Sequence, residues 1–176
     1  MSEPDVIMLG AGPVPFGQSF VNSEAFKVLF QEGMELIEET AAYLDGPGRE
    51  DSRHMPRDLS LTYASESMRL TTRLMQVASW LLLQRAVAEG EITPDQAVAE
   101  KNRVRLTAQE TPTTVAEFES LPARLKDLIG LAARLHARIM HLDRLISESE
   151  VVPPPSGPNP VTVQLGMLEK AFGGKD

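Results

Sequence analysis

Residues 58–91 read DLSLTYASESMRLTTRLMQVASWLLLQRAVAEGE, with no proline and no glycine before Gly90. Nothing in that run stops one helix of roughly 32 residues, which at a rise of about 1.5 Å per residue spans about 48 Å. Its core stripes are Tyr63, Leu70 and Val77 beside Leu74 and Leu81. Leu61, Met68, Met75 and Leu82 repeat at strict sevens on an adjacent line. So broad an apolar circumference predicts packing on more than one neighbour. A further stripe changes character along its length. Thr62, Glu66, Arg69, Arg73 and Gln76 are polar, whereas Trp80, Leu83 and Val87 continue the same spacing as apolar residues. Such a stripe should meet water at one end and another apolar surface at the other.

Working outward, Gly90 is placed to close this helix as the residue after its cap. Thr93-Pro94-Asp95-Gln96 reads as the start of a shorter helix reaching towards Leu106, with Thr93 and Gln96 as a capping box and Pro94 in the first turn. On the other side, Phe26, Leu29, Gly33, Leu36, Thr40 and Tyr43 recur at threes and fours, so a helix begins near Ser19 or Ser23. Asp45-Gly46-Pro47-Gly48 ends it, and GPGREDSRHMPR (46–57) is expected to be an exposed loop. The last helix is the most regular. Leu121, Leu125, Leu128, Ala132, Leu135, Ile139, Leu142 and Ile146 form one seam, with Ser120 as its expected N-cap and Leu131 and Leu145 off the seam.

These patterns give an all-α fold: an antiparallel three-helix bundle over 19–148, with a shorter extra helix. Residues 1–18, with three prolines and three glycines, predict a flexible arm. PPPSGPNP opens a tail (149–176) expected to be disordered. That tail carries a short apolar segment, Val161, Val163, Leu165, Met167, Leu168 and Phe172, which could order on a partner.

Composition narrows the function classes. The chain has 176 residues, no cysteine and a formal net charge of −8. The absence of cysteine excludes thiol chemistry and suits a reducing cytoplasm, and the negative balance weighs against nucleic acid. No apolar run is long enough to span a membrane. Charge is uneven: residues 24–51 hold eight acidic and two basic residues, residues 121–148 five basic and three acidic. The first and last helices should therefore attract each other along their edges.

No catalytic, cofactor or metal site emerges. DVIMLGAGPVP lacks the third glycine of a dinucleotide loop and no βαβ unit follows it. His136 and His141 lie about 140° apart on their helix and do not converge on one metal. Glu38 and Glu39 point apart, and the Glu-x-x-His pattern of di-iron bundles is absent. The candidate sites are for interaction. Trp80, Leu83 and Val87 either lie under the 94–106 helix or form a two-fold dimer contact. Glu66, Arg69 and Arg73 either form a solvated ladder, or recognise a partner, or set helix register as a buried polar pairing.

YASESMRLTTRLMQVASWLLLQRAV (63–87), followed by GEITPDQA (90–97), resembles the family of RcdA, the regulator of CtrA degradation in alphaproteobacteria. The likeness covers about residues 20 to 148. The resemblance implies a homodimeric three-helix bundle and a proteolytic adaptor. Such a protein binds the ClpXP protease primed by CpdR, presents cell-cycle regulators to it, and works with PopA, a further adaptor that binds cyclic di-GMP, for CtrA itself. It further implies a cytoplasmic protein concentrated at a cell pole, and no enzymatic activity. A structural or signalling dimer with a single protein partner and no part in proteolysis is the competing reading from the residues alone.

Overall fold

A computed structural model describes residues 16–103 and 113–151. The elements are α1 (Phe16–Val21), α2 (Glu24–Asp45), α3 (Pro47–Arg53), α4 (Arg57–Ala88), α5 (Pro94–Arg103), α6 (Val115–Glu119) and α7 (Ala123–Val151). No strand occurs among the described residues. The fold is an all-α bundle in which α2, α4 and α7 share one core.

Each long helix buries the stripe its sequence periodicity selects. On α2 the buried residues are Phe26, Leu29, Gly33, Leu36, Thr40 and Tyr43. On α4 they are Tyr63, Leu70, Leu74, Val77 and Leu81, joined by Glu66 and Trp80. On α7, Leu125, Leu128, Ala132, Leu135 and Ile139 are buried and Leu142 is half-buried. Burying one Leu or Ile side chain contributes about 1.5–3 kcal/mol, so the three stripes together dominate the stability. Gly33 marks the closest approach. A Cβ there would meet Leu81 Cδ1 at 2.5 Å, with Val77 and Leu135 within 4 Å. The missing side chain lets α2 sit down on both other helices at once.

The direction of the helices follows from their pairings. Gly33 in the first half of α2 faces Leu81 in the last third of α4, while Gly48 just past α2 lies against Tyr63 near the start of α4. Arg124 at the start of α7 pairs with Glu39, and Arg138 with Glu32 at 2.8 Å. The acidic and basic helices therefore do attract each other, and α2 runs antiparallel to both partners. α4 and α7, in contrast, run the same way: Trp80 bonds Asp143, and Arg73 lies beside His136. The antiparallel arrangement thus holds only about α2. By Thr113, which bonds Glu66, the chain is again beside the first half of α4, and α7 begins from that end.

Four local expectations are corrected. The arm expected for 1–18 gives way to a helix at Phe16, because Gly17 packs on Ile146 and Val21 is buried. The 46–57 loop contains α3, with Pro47 in its first turn and an Arg53–Glu50 ion pair. Gly48 anchors α3: a Cβ there would lie 2.5 Å from Tyr63 Oη and 2.9 Å from the Tyr43 ring. Ser120 does not cap α7. It ends α6, whose own start is a capping box between Thr114 and Glu117. Finally, the line Leu61, Met68, Met75 and Leu82, expected to pack on a further neighbour, meets none within the described residues: its members are 63%, 72%, 57% and 53% exposed. Leu131 and Leu145 on α7 are likewise exposed.

Ser23 accepts from Phe26 N as the N-cap of α2. Gly90 has φ +73° just past α4, as a C′ glycine should. Thr93 and Gln96 exchange the two bonds of a capping box. α5 ends at Arg103, and the expected extension to Leu106 lies outside the described residues.

Candidate functional site

Three regions of α4 carry the candidate side chains, and each is set by what packs on it. In the first, Glu66 is buried and takes hydrogen bonds from Arg69 Nη1 at 2.5 Å and Thr113 Oγ1 at 2.6 Å. Arg69 Nη1 also reaches Thr113 Oγ1 at 3.1 Å. This polar end is a clamp that fastens the returning chain just before α6, not a solvated ladder. Arg73 is half-buried against α7. Beside it, burial first and the Arg73 charge second disfavour the His136 imidazolium and hold its pKa below the usual histidine value. Replacing Glu66 with Ala removes the carboxylate that pairs with Arg69 and accepts from the Thr113 hydroxyl, leaving only the Arg69–Thr113 bond. Because Arg69 keeps some contact with water, we expect a loss of about 1–2 kcal/mol by urea unfolding, with Glu66→Gln milder.

In the second region, Trp80 is buried beneath α5. Its Nε1 donates to Asp143 Oδ1 at 2.9 Å, and Lys101 of α5 pairs with the other oxygen of the same carboxylate. Leu83 and Val87 are half-buried and line a cavity of about 50 Å³ with Trp80, Ala97 and Ile146. The apolar half of the stripe therefore packs on helices of its own chain.

The third region is the adjacent apolar line expected to meet a further neighbour, and in the single chain it is a surface. Leu61, Met68, Met75 and Leu82 stand on the side of α4 turned away from α7. The neighbours on that arc, Ala64, Thr71, Thr72 and Ser79, are small and uncharged. Beside it, α2 contributes Ile37, Ala41 and Leu44 to a groove of about 300 Å³ floored by Leu74. Thr40 also lines this groove, and its buried hydroxyl finds no hydrogen-bond partner among the described residues. At the far end Arg85 lies over the Phe30 ring, 5.4 Å from its centroid. The seven-residue spacing of this line is shared by the core stripes Tyr63, Leu70, Val77 and Leu74, Leu81, so spacing alone did not mark it as a surface.

Tyr43 and His54, two further polar candidates, have structural partners. Tyr43 donates to Asp51 Oδ2 at 3.1 Å, and burial together with that bond pushes its hydroxyl pKa well up. His54 follows α3, with its ring Nδ1 3.0 Å from Glu50 O. No group of three or more His, Asp or Glu positioned for a metal occurs among the described residues. The tail candidates Val161, Val163, Leu165, Met167, Leu168 and Phe172 lie outside them.

The family model described as "Protein of unknown function (DUF1465)" matches residues 17–172. Among solved structures, RcdA from Caulobacter crescentus CB15 shares 52% sequence identity with a TM-score of 0.59. The match covers 73% of this chain and 96% of that one. The chain belongs to the RcdA family. A comparison with curated proteins finds no match. The family match includes both the bundle and the apolar tail segment, so all of the candidate regions belong to the shared unit. None of the described helices is long and apolar enough to cross a membrane.

Proposed function

We propose that this protein is a non-enzymatic proteolytic adaptor that tethers cell-cycle regulators such as CtrA to the CpdR-primed ClpXP protease. The single observation behind this reading is the 52% identity to Caulobacter RcdA across nearly the whole of that chain. The geometry is compatible with it. Glu66 and Arg69 bond within the chain, while the line Leu61, Met68, Met75 and Leu82 leaves an apolar face open to another protein. An adaptor needs surfaces rather than a reaction centre. Holding a substrate beside an unfoldase raises its local level towards millimolar even when each contact is weak.

In this reading the protein acts as a homodimer joined through the face between α2 and α4, with Met68 and Met75 at its centre. Four helices would then enclose what one chain leaves exposed. The segment from Val161 to Phe172 engages the primed protease, and PopA extends the range to CtrA. The test is purified reconstitution. CtrA incubated with ClpXP, CpdR and PopA should be degraded at least several-fold faster when this protein is added. Equal half-lives with and without it would refute the adaptor reading and leave the single-partner signalling dimer.

A further inference from the structure

We propose that α5 is a replaceable occupant of a helix-binding slot on α4 and α7, and that the slot also accepts an amphipathic helix from a partner protein. That helix would present a large aliphatic side chain followed four residues later by a lysine or arginine. The proposal stands whether or not the protein serves a protease.

Few side chains of α5 are buried. Of its residues described, Ala97 is the buried one, and the adjoining Val98 is 51% exposed. Ala97 faces Trp80, Leu83 and Val87 but is too small to fill the space between them, which leaves the cavity of about 50 Å³. An apolar slot lined by a tryptophan and three aliphatic side chains loses contact energy wherever its occupant stops short. A further attachment is the ion pair from Lys101, whose side chain is 42% exposed, to the mostly buried Asp143. Pairs of that kind are weak and sensitive to salt.

Other features let α5 leave and return as a helix. Its N-terminus is capped internally by Thr93 and Gln96, so its first turn does not need the slot. The preceding turn is fixed to α4 by Gly90 N to Val87 O and Glu91 N to Ala86 O. α5 is therefore tethered beside the slot at high effective concentration. The ligand chemistry is read from α5 itself: Ala97 and Lys101 lie four apart on one helical face, one over the apolar floor and one at Asp143. A partner with Leu, Ile or Met in place of Ala97 fills the floor better and can displace it.

Trp80 is the only tryptophan of the chain, so its emission and acrylamide quenching report on the slot in the full-length protein. Lys101→Ala should raise quenching at least two-fold while far-ultraviolet helicity is kept. In the unaltered protein 0.5 M salt should move quenching in the same direction. The binding probe is a fluorescent peptide copying residues 91–103 with Ala97→Leu. It should bind the Lys101→Ala protein at least ten-fold tighter than the native one, and lose that binding when its own lysine is changed to glutamate. The proposal is overturned by a Trp80 that stays equally shielded in both proteins. A peptide that fails to bind, or binds irrespective of either lysine, overturns it as well.

Discussion

Leu81→Ala is expected to lower the unfolding free energy by about 3–4 kcal/mol, measured by urea denaturation. Leu81 is fully buried and sits where Gly33 brings α2 against α4. The void it leaves cannot collapse easily, because Val77 and Leu135 beside it belong to two different helices. Met75 has a side chain of similar size on the same helix, and Met75→Ala is expected to cost under about 1 kcal/mol when measured on the isolated chain. The contrast decides which apolar line of α4 is core. A loss at Met75 comparable with that at Leu81 would mean that the outward line is covered by the chain's own residues.

The core was legible in the sequence because helical periodicity reports directly on which residues face a neighbour. Every residue of the stripe from Phe26 to Tyr43 is buried, and so are those read on α4 from Tyr63 to Leu81. The capping box at Thr93 and the C′ glycine at Gly90 were equally readable, since both are local chemistry. What periodicity does not report is how many neighbours a helix has. Strict sevens at Leu61, Met68, Met75 and Leu82 look the same whether the partner is a third helix of the chain or a separate molecule.

Chain direction was similarly hidden. The length of the connection from Glu89 to Pro122 permits α7 to run either way, and only pairings such as Trp80 with Asp143 fix it. The short helices α3 and α6 were missed for another reason. Proline and glycine at 46–48 suggest a loop, yet Pro47 falls in the first turn of α3, where proline is tolerated. For α6, the Thr114–Glu117 capping box was present in the sequence and could have been read. The polar end of α4 shows the limit most plainly. Glu66, Arg69 and Arg73 have the spacing of an exposed ladder, and only the distant Thr113 turns Glu66 into a buried acceptor.

The functional account rests on α4 having two apolar faces with different destinations, one for the core and one for another molecule. Met68→Glu together with Met75→Glu places two carboxylates in the centre of the outward face, on each side of a two-fold contact. Removing them from water opposite their own copies is unfavourable at every step. The expected weakening of self-association is at least 100-fold, whereas the fold of the single chain, which does not bury either methionine, should keep its far-ultraviolet helicity. Light scattering at low micromolar concentration is the direct measurement. The unaltered protein should show twice the 19.3 kDa chain mass, and the doubly substituted protein the mass of one chain. A native monomer, or a dimer that survives both substitutions, would contradict the account.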